Sequence, residues 1–234
     1  MTQPLRIGLI FDMDFASLRG EMRGVIAYRQ ARSLPWTFAG GANSPETWRM
    51  LRPWRPHGII GETGRRAGRL GVPAVSPMLP DSAGAVLLDN DAIGRMAASH
   101  LLDQGFRNLA FFGERNAPWS AEREAGFRAQ WKLMLGGRRG VTFHRLALLQ
   151  EDTPGWRPEL ARVAAWLRAL PKPVGIMACR DHRARELVQA CRSLRLRIPG
   201  DVAIVGVDND VLLCEMSDPS ISSVSVPWES IGYH

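Results

Sequence analysis

Short apolar runs alternate with helix-compatible stretches along almost the whole chain, and this alternation restricts the fold more than any other feature. Apolar runs such as 174–178 and 202–207 have almost no polar interruption, which is typical of strands buried on both faces. Strands that alternate with helices predict βαβ units and therefore parallel sheets. The predicted strands are 5–11, 36–39, 58–60, 72–75, 85–88, 109–112, 142–146, 174–178, 202–207 and 222–226.

The alternating pattern restarts once, near Gln104-Gly105-Phe106. We therefore expect an α/β protein with two doubly wound parallel-sheet subdomains and a ligand cleft between them. The expected N-terminal subdomain is 1–104 together with a returning segment at 223–234, and the expected C-terminal subdomain is 105–222. A chain of 234 residues is long enough for two small domains of this kind.

Acidic side chains come directly after three of the predicted strands. They are Asp12, Asp89 and Asp208, and the polar residues Asp14, Asn90 and Asn209 accompany them. In open α/β sheets, ligands bind outside the carboxyl ends of the strands. These residues are therefore candidate ligands for a polar molecule, although Asp208 and the two residues after it could instead form an Asx turn.

An aromatic residue and an arginine lie at the start of the helix predicted after Ser120, its expected N-cap. Trp119 precedes this cap and Arg123 lies in the expected first turn. Carboxylates accept hydrogen bonds from sugar hydroxyls, arginine donates them, and an aromatic ring packs on the C–H face of a sugar. The alternatives are core packing for Trp119 and a surface or helix-pairing role for Arg123.

The usual signatures of catalysis and of cofactor binding are missing. We find no GxGxxG dinucleotide fingerprint, no GxxxxGK[ST] phosphate loop and no GxSxG nucleophile elbow. The histidines are scattered, and the three cysteines lack CxxC spacing, which argues against a zinc site and for a reducing compartment. We therefore expect neither a cofactor nor a metal, and no enzyme activity.

Charge and hydropathy restrict the partners. The net charge is +7, but no run of five or more like charges marks a nucleic-acid-binding tail. No apolar run approaches the roughly 18 residues of a membrane span, and no signal peptide is recognisable. We expect a cytoplasmic protein without a membrane partner, and a homodimer is left open.

Several motifs together carry a resemblance to a known family. Asp208-Asn209-Asp210 and the segment 217–224 resemble the ligand domain of xylose-operon regulators. These are AraC-type transcription factors whose effector domain is similar to the lactose-repressor and ribose-binding fold. Further matching segments are 89–94, 119–124, 170–178 and 231–233.

The resemblance implies a role for individual residues. It implies that Asp208 is the carboxylate on the sugar hydroxyls, that Arg123 is the sugar-contacting arginine, and that Asp12 contributes from the other subdomain. Arg180 departs from the wider sugar-binding fold, which often has asparagine there. A second arginine admits a sugar acid or a sugar phosphate as the ligand. Alternatively, Arg180 pairs with Asp208 or Asp181.

By the same resemblance, the chain is expected to be a ligand-sensing effector domain that binds xylose or a similar monosaccharide. Family members continue into a helix-turn-helix domain, so we expect DNA contact only through a domain that this chain lacks. The alternatives are a doubly wound enzyme acting on a sugar or sugar phosphate, and a transport-type sugar-binding protein. We expect Asp208→Ala and Arg123→Ala to weaken sugar binding with little change in melting temperature, since cleft residues are part-solvated.

Overall fold

A computed structural model describes residues 3–62, 64–76, 86–136, 140–148 and 156–234. The chain forms two compact units, each with its own parallel sheet. Unit 1 comprises Met1–Leu88 and Pro227–His234, and unit 2 comprises Asp89–Val226.

Unit 1 is built on a four-stranded parallel sheet with the strand order β2-β1-β3-β4. Its strands are β1 (Leu5–Ile10), β2 (Trp36–Gly41), β3 (Gly58–Gly61) and β4 (Ala74–Val75). Its helices are α1 (Ala16–Ala31), α2 (Pro45–Trp54), a 3-10 helix (Gly64–Leu70) and α8 (Trp228–Tyr233).

Successive residues of β1 supply two different cores, because side chains alternate across a strand. Leu9 faces a cluster with Leu18 and Val25 of α1, whereas Ile10 belongs to a cluster with Leu51 of α2. Helices therefore cover both faces of this sheet, which confirms the doubly wound arrangement predicted for the first part of the chain.

Helices α1 and α8 approach each other closely. A Cβ atom added to Gly24 would lie 2.1 Å from the carbonyl oxygen of Glu229, so only glycine permits this packing. The same contact encloses Glu21 of α1, whose side chain is buried although it carries a carboxyl group. Neither carboxyl oxygen of Glu21 has a hydrogen-bond partner among the described residues.

Unit 2 is built on a five-stranded parallel sheet with the order β6-β5-β7-β8-β9. Its strands are β5 (Asn108–Glu114), β6 (Phe143–Leu148), β7 (Val174–Ala178), β8 (Val202–Val207) and β9 (Ser222–Val224). Its helices are α3 (Asn90–Asp103), α4 (Pro118–Leu135), α5 (Trp156–Ala169), α6 (Asp181–Ser193) and α7 (Val211–Glu215).

The core of unit 2 explains the continuous apolar runs of its central strands. Every residue of β7 and β8 is buried. On one side, Ile176 and Ile204 pack with Leu167 of α5 and Leu187 of α6. On the other side, α3 contacts β7 and β8 and α4 contacts β5, so that helices again cover both faces of the sheet.

Helices α3 and α4 pack against each other through two glycines. A Cβ atom on Gly94 would lie 2.1 Å from the carbonyl oxygen of Arg123, and one on Gly126 would lie 2.1 Å from that of Asp91. This pairing places α3 in unit 2. The division therefore differs from the expected boundary at residue 104, because apolar periodicity does not show which neighbour a helix packs on.

Gly94→Ala is expected to lower the free energy of unfolding by about 1–3 kcal/mol, because the new methyl group meets helix backbone that can move only as a unit. Chemical denaturation measures this change. Gly68→Ala is the matched control, since a Cβ atom there meets nothing within 4 Å. Equal stability of the two variants would contradict the close helix pairing.

The strand predicted at 85–88 does not form. Ala85 lies outside the described residues, and Val86–Leu88 have no regular secondary structure. All the other predicted strands have a counterpart within one or a few residues. Among the described residues, no helix is both long and apolar enough to span a membrane.

Candidate functional site

The carboxyl edge of the sheet in unit 2 begins with the end of β8. Asp208 and Asn209 follow this buried strand with φ angles of 104° and 51°, in the left-handed region that aspartate and asparagine tolerate better than most residues. The backbone N–H of Asp208 donates to the carbonyl oxygen of Val224. The carboxylate of Asp208 is therefore held by the end of the sheet.

Arg123 of α4 reaches this edge from the neighbouring helix layer. Its Nε donates to Oδ1 of Asn90 at 3.0 Å, and its Nη1 donates to the carbonyl oxygen of Cys179 at 2.5 Å. Nη1 also lies 3.9 Å from Oδ1 of Asp208. The guanidinium group thus connects the start of α3, the end of β7 and the end of β8.

The residue of α3 that contacts Arg123 is Asn90, the neighbour of the candidate ligand residue Asp89. Asp89 is exposed, and its Oδ1 accepts a hydrogen bond from the backbone N–H of Ala92, as an N-cap does. Asn90 is buried, and its Nδ2 also donates to Oε2 of Glu122. Both residues follow the predicted strand end, so the sequence could not distinguish the cap from the contacting residue.

Trp119 lies beside Arg123. The guanidinium carbon of Arg123 is 5.0 Å from the centre of the half-buried Trp119 ring, within the range of a cation–π contact. The predicted N-cap at Ser120 is wrong, because α4 begins at Pro118 with Ala117 as its cap. Ser120 Oγ instead accepts from the backbone N–H of Glu114, which ties α4 to the end of β5.

Arg180 contacts a partner that sequence reasoning did not name. Its Nη2 lies 2.6 Å from Oε1 of Glu114, the last residue of β5, whose side chain is fully buried. The same carboxylate oxygen accepts from Nε of Arg183 at 3.2 Å, and Arg183 also binds Glu186. Glu114 and Arg183 follow no recognisable motif, so only the folded structure reveals this buried ionic cluster.

A second buried carboxylate, that of Asp181, underlies the end of β8. Its Oδ2 accepts from the backbone N–H of Asp210 and its Oδ1 from Oγ of Ser223, both at 2.7 Å. A Cβ atom on Gly206 would lie 2.1 Å from the same Oδ1, so the glycine makes room for this carboxylate. Asp181 therefore supports the loop that carries Asp208.

Burial alters the acidity of these carboxyl groups. It raises the pKa of Asp208 to about 7, although the positive charge of Arg123 acts in the opposite direction. It also raises the pKa of Asp181 to about 6, against the hydrogen bonds from Ser223 and Asp210. For Arg123, burial lowers the pKa while the negative charge of Asp208 raises it. Asp208 therefore changes its charge close to neutral pH.

The structure brings four of the predicted site residues together in unit 2: Trp119, Arg123, Arg180 and Asp208. Asp12 belongs to unit 1, where it follows β1 and its Oδ1 accepts from the backbone N–H of Asp14. Among the described residues, no group of histidine, cysteine, aspartate and glutamate side chains could hold a metal ion. The expectation that Arg123 is part-solvated is wrong, since this residue is only 3% exposed.

Comparison with known proteins agrees with this architecture. Residues 98–234 match the family model described as "Periplasmic binding protein-like domain". The chain is 28% identical over 250 residues to the "Xylose operon regulatory protein" of Escherichia coli (strain K12), with 99% of this chain and 62% of that protein covered. The chain thus spans less than two thirds of the length of this relative.

Solved structures show the same fold. The "structure of xylose-binding transcription activator xylR" is similar with a TM-score of 0.80 and 27% identity, covering 99% of this chain and 61% of that one. A periplasmic binding protein/LacI transcriptional regulator from Alkaliphilus metalliredigens QYMF, complexed with D-xylulofuranose, has a TM-score of 0.71 and 19% identity. This match covers 97% of this chain and 86% of the chain of that regulator. With more than half of its residues matched by the family model, the chain belongs to the family of periplasmic binding protein-like domains.

Proposed function

We propose that this chain is the effector-sensing part of a transcriptional regulator, and that it binds a monosaccharide at the carboxyl edge of the sheet in unit 2. The observation that carries this proposal is the group formed by Asp208, Arg123 and Trp119, in which a carboxylate and a guanidinium lie beside an aromatic ring. Such a group offers an acceptor, donors and an apolar face, which together suit the hydroxyl groups and C–H surface of a sugar.

Xylose is the sugar that we propose first. The relative from Escherichia coli and the similar solved structure are both named for xylose, and both match 99% of this chain. The effector would act by stabilising one conformation of the regulator more than another. We further propose that the regulator is of the AraC type and binds DNA through a part of the protein outside this chain.

The charges at the site support a neutral sugar over a sugar acid. Glu114 lies against both Arg180 and Arg183, and Asp208 lies against Arg123. The arginines therefore already have carboxylate partners within the protein. A sugar acid or sugar phosphate would have to compete with Glu114 for Arg180, whereas a neutral pentose would not.

Asp208→Asn is expected to weaken xylose binding about ten- to hundredfold at about pH 8, since it removes a charge-assisted hydrogen bond worth roughly 1.5–3 kcal/mol. Asparagine keeps the shape of the side chain and tolerates the positive φ angle. With a pKa of about 7, Asp208 is ionised mainly at the higher pH. The wild-type affinity is therefore expected to fall about tenfold between about pH 8 and about pH 6, and the affinity of the variant is expected to change little.

Calorimetric titration with xylose, other pentoses, hexoses and sugar acids measures these affinities. Asp103→Asn is the matched control, because Asp103 is an exposed aspartate at the end of α3. Binding that survives Asp208→Asn unchanged would show that the sugar site lies elsewhere. Stronger binding of a sugar acid than of xylose would contradict the neutral ligand, and product formation from a sugar would favour the enzyme alternative.

A further inference from the structure

Glu114 lies at the same edge of the sheet in unit 2 as the proposed sugar site. It is the last residue of β5, and β7 lies between β5 and β8, the strand that ends just before Asp208. Its backbone N–H donates to Oγ of Ser120 on α4, the helix that carries Trp119 and Arg123. The sheet and this helix therefore fix the position of Glu114 relative to the site.

Arg180, the ion-pair partner of Glu114, lies close enough to the site for its charge to act there. It follows Cys179, whose carbonyl oxygen accepts from Nη1 of Arg123. Burial raises the pKa of Asp208, and the positive charges of Arg123 and Arg180 oppose this rise. Burial lowers the pKa of Arg123, and the charge of Arg180 adds to that effect. An arginine whose charge reaches both residues is well placed to attract an anionic ligand.

Glu114 neutralises this arginine within the protein. Its Oε1 lies 2.6 Å from Nη2 of Arg180 and 3.2 Å from Nε of Arg183. Nη1 of Arg183 in turn donates to both carboxylate oxygens of Glu186, at 2.9 and 2.8 Å. These four side chains carry two positive and two negative charges. Salt screens buried ion pairs much less than exposed ones, so the pairing with Glu114 competes strongly with an anionic ligand.

We propose that Glu114 determines the charge preference of the sugar site: by holding Arg180 in an ion pair, it keeps this guanidinium from binding a carboxylate or phosphate of the ligand. This inference rests on the proposed function and adds a specificity-determining residue to it. Arginine binds carboxylates through two parallel hydrogen bonds. An Arg180 released from Glu114 would therefore turn toward the ligand and favour sugar acids.

Glu114→Gln tests this role, because it keeps the shape of the side chain but removes its charge. Calorimetric titration at about pH 8, where Asp208 is mainly ionised, compares D-xylose with D-xylonate and D-glucuronate. These two sugar acids carry a carboxylate at opposite ends of the xylose skeleton. The wild type should bind xylose at least about tenfold more tightly than either acid. In Glu114→Gln, the ratio of acid to xylose affinity should rise about ten- to hundredfold for at least one acid, the value of a charge-assisted hydrogen bond.

Two further variants assign the gain to Arg180. In the double variant of Glu114→Gln with Arg180→Met the gain should disappear, since the released guanidinium is gone. Glu124→Gln is the matched control, because Glu124 of α4 also forms an ion pair, but with Nε of Arg145 at 3.2 Å. Its ratio of acid to xylose affinity should equal that of the wild type. Thermal melting curves show whether each variant is folded before it is titrated.

Arg180→Met alone provides a second test, which does not depend on the folding of Glu114→Gln. Removing one partner of a buried ion pair is strongly destabilising, but in Arg180→Met the carboxylate of Glu114 keeps Arg183 as its partner. If Glu114 withholds Arg180 from the ligand, the ratio of acid to xylose affinity should stay within about threefold of the wild-type ratio. A fall of about tenfold or more would show that Arg180 binds the acid despite Glu114, and would overturn the inference.

The remaining outcomes separate this inference from the proposed function. An unchanged ratio in Glu114→Gln, with xylose still bound, would overturn the role of Glu114 and leave the proposed sugar site standing. Loss of all ligands by a folded Glu114→Gln would show that Glu114 supports the structure of the site rather than its charge preference, and would also overturn the inference. Absence of xylose binding to the wild type would overturn the proposed function and this inference together.

Discussion

Replacing Arg123 with methionine is expected to lower the free energy of unfolding by about 3–5 kcal/mol, the usual cost of removing one partner from a buried ion pair. The side chain of Arg123 is almost completely buried. Its loss would leave the carbonyl oxygen of Cys179, the amide of Asn90 and the carboxylate of Asp208 without this donor. For a domain of this size the melting temperature should fall by roughly 6–20 °C.

Chemical denaturation of the ligand-free chain at about pH 8, where Asp208 is mainly ionised, measures the loss. Arg128→Met is the matched control, because Arg128 is an exposed arginine of the same helix whose guanidinium carbon lies 5.7 Å from the centre of the Phe143 ring. The control should cost less than about 1 kcal/mol. In the double variant with Asp208→Asn, part of the loss should be recovered, since the carboxylate is then no longer an unpaired charge.

A loss below about 1 kcal/mol for Arg123→Met would contradict the network that links α3, α4, β7 and β8. The result also decides how binding data on this residue are interpreted. Because Arg123 supports the fold, weaker sugar binding by an Arg123 variant does not by itself identify a ligand contact. Asp208→Asn is the better probe of the site, since it preserves shape and backbone conformation.

Glu21→Gln is expected to remove much of the dependence of stability on pH. The pKa of Glu21 rises from an ordinary 4.5 to about 8 on folding, so between these values the folded state holds a proton that the unfolded state has released. The free energy of unfolding of the wild type therefore falls as the pH rises through this window. The loss attributable to Glu21 is on the order of 4 kcal/mol and is complete above about pH 8.

Denaturation curves of the wild type and Glu21→Gln across this pH range measure the effect as a difference. The pKa values of Asp208 and Asp181 are also raised, so these residues make the stability of both proteins fall with rising pH. Subtracting one curve from the other removes this shared contribution and leaves that of Glu21. The pH dependence of stability of Glu229→Gln should be parallel to that of the wild type, since Glu229 is exposed. Parallel curves for the wild type and Glu21→Gln would show that Glu21 is solvated in solution.

Much of the fold could be predicted because strand and helix periodicities are local. The apolar run of β8 and the polar residues after it identified both a buried strand and its functional end, since the direction of a strand is given by the sequence. Trp119 and Arg123 were likewise recognisable from their place beside a predicted strand end. The same periodicity predicted a strand at 85–88, where 86–88 have no regular structure, and it placed α3 in the first subdomain although α3 lies in unit 2. Strand pairing and helix packing both depend on contacts with residues distant in sequence, which a local pattern does not contain.

The sequence by itself thus determined the two parallel-sheet units and the edge at which Asp208 and Arg123 lie. Only the tertiary structure decided the partners of the site residues: Asn90 for Arg123, Glu114 for Arg180, and the carboxylate of Asp181, which supports the loop that carries Asp208. It also decided that Glu21, one of several charged residues on α1, is buried and has no hydrogen-bond partner among the described residues. The physical reason is that burial and ion pairing depend on contacts between residues distant in sequence, which no local pattern of residue types encodes.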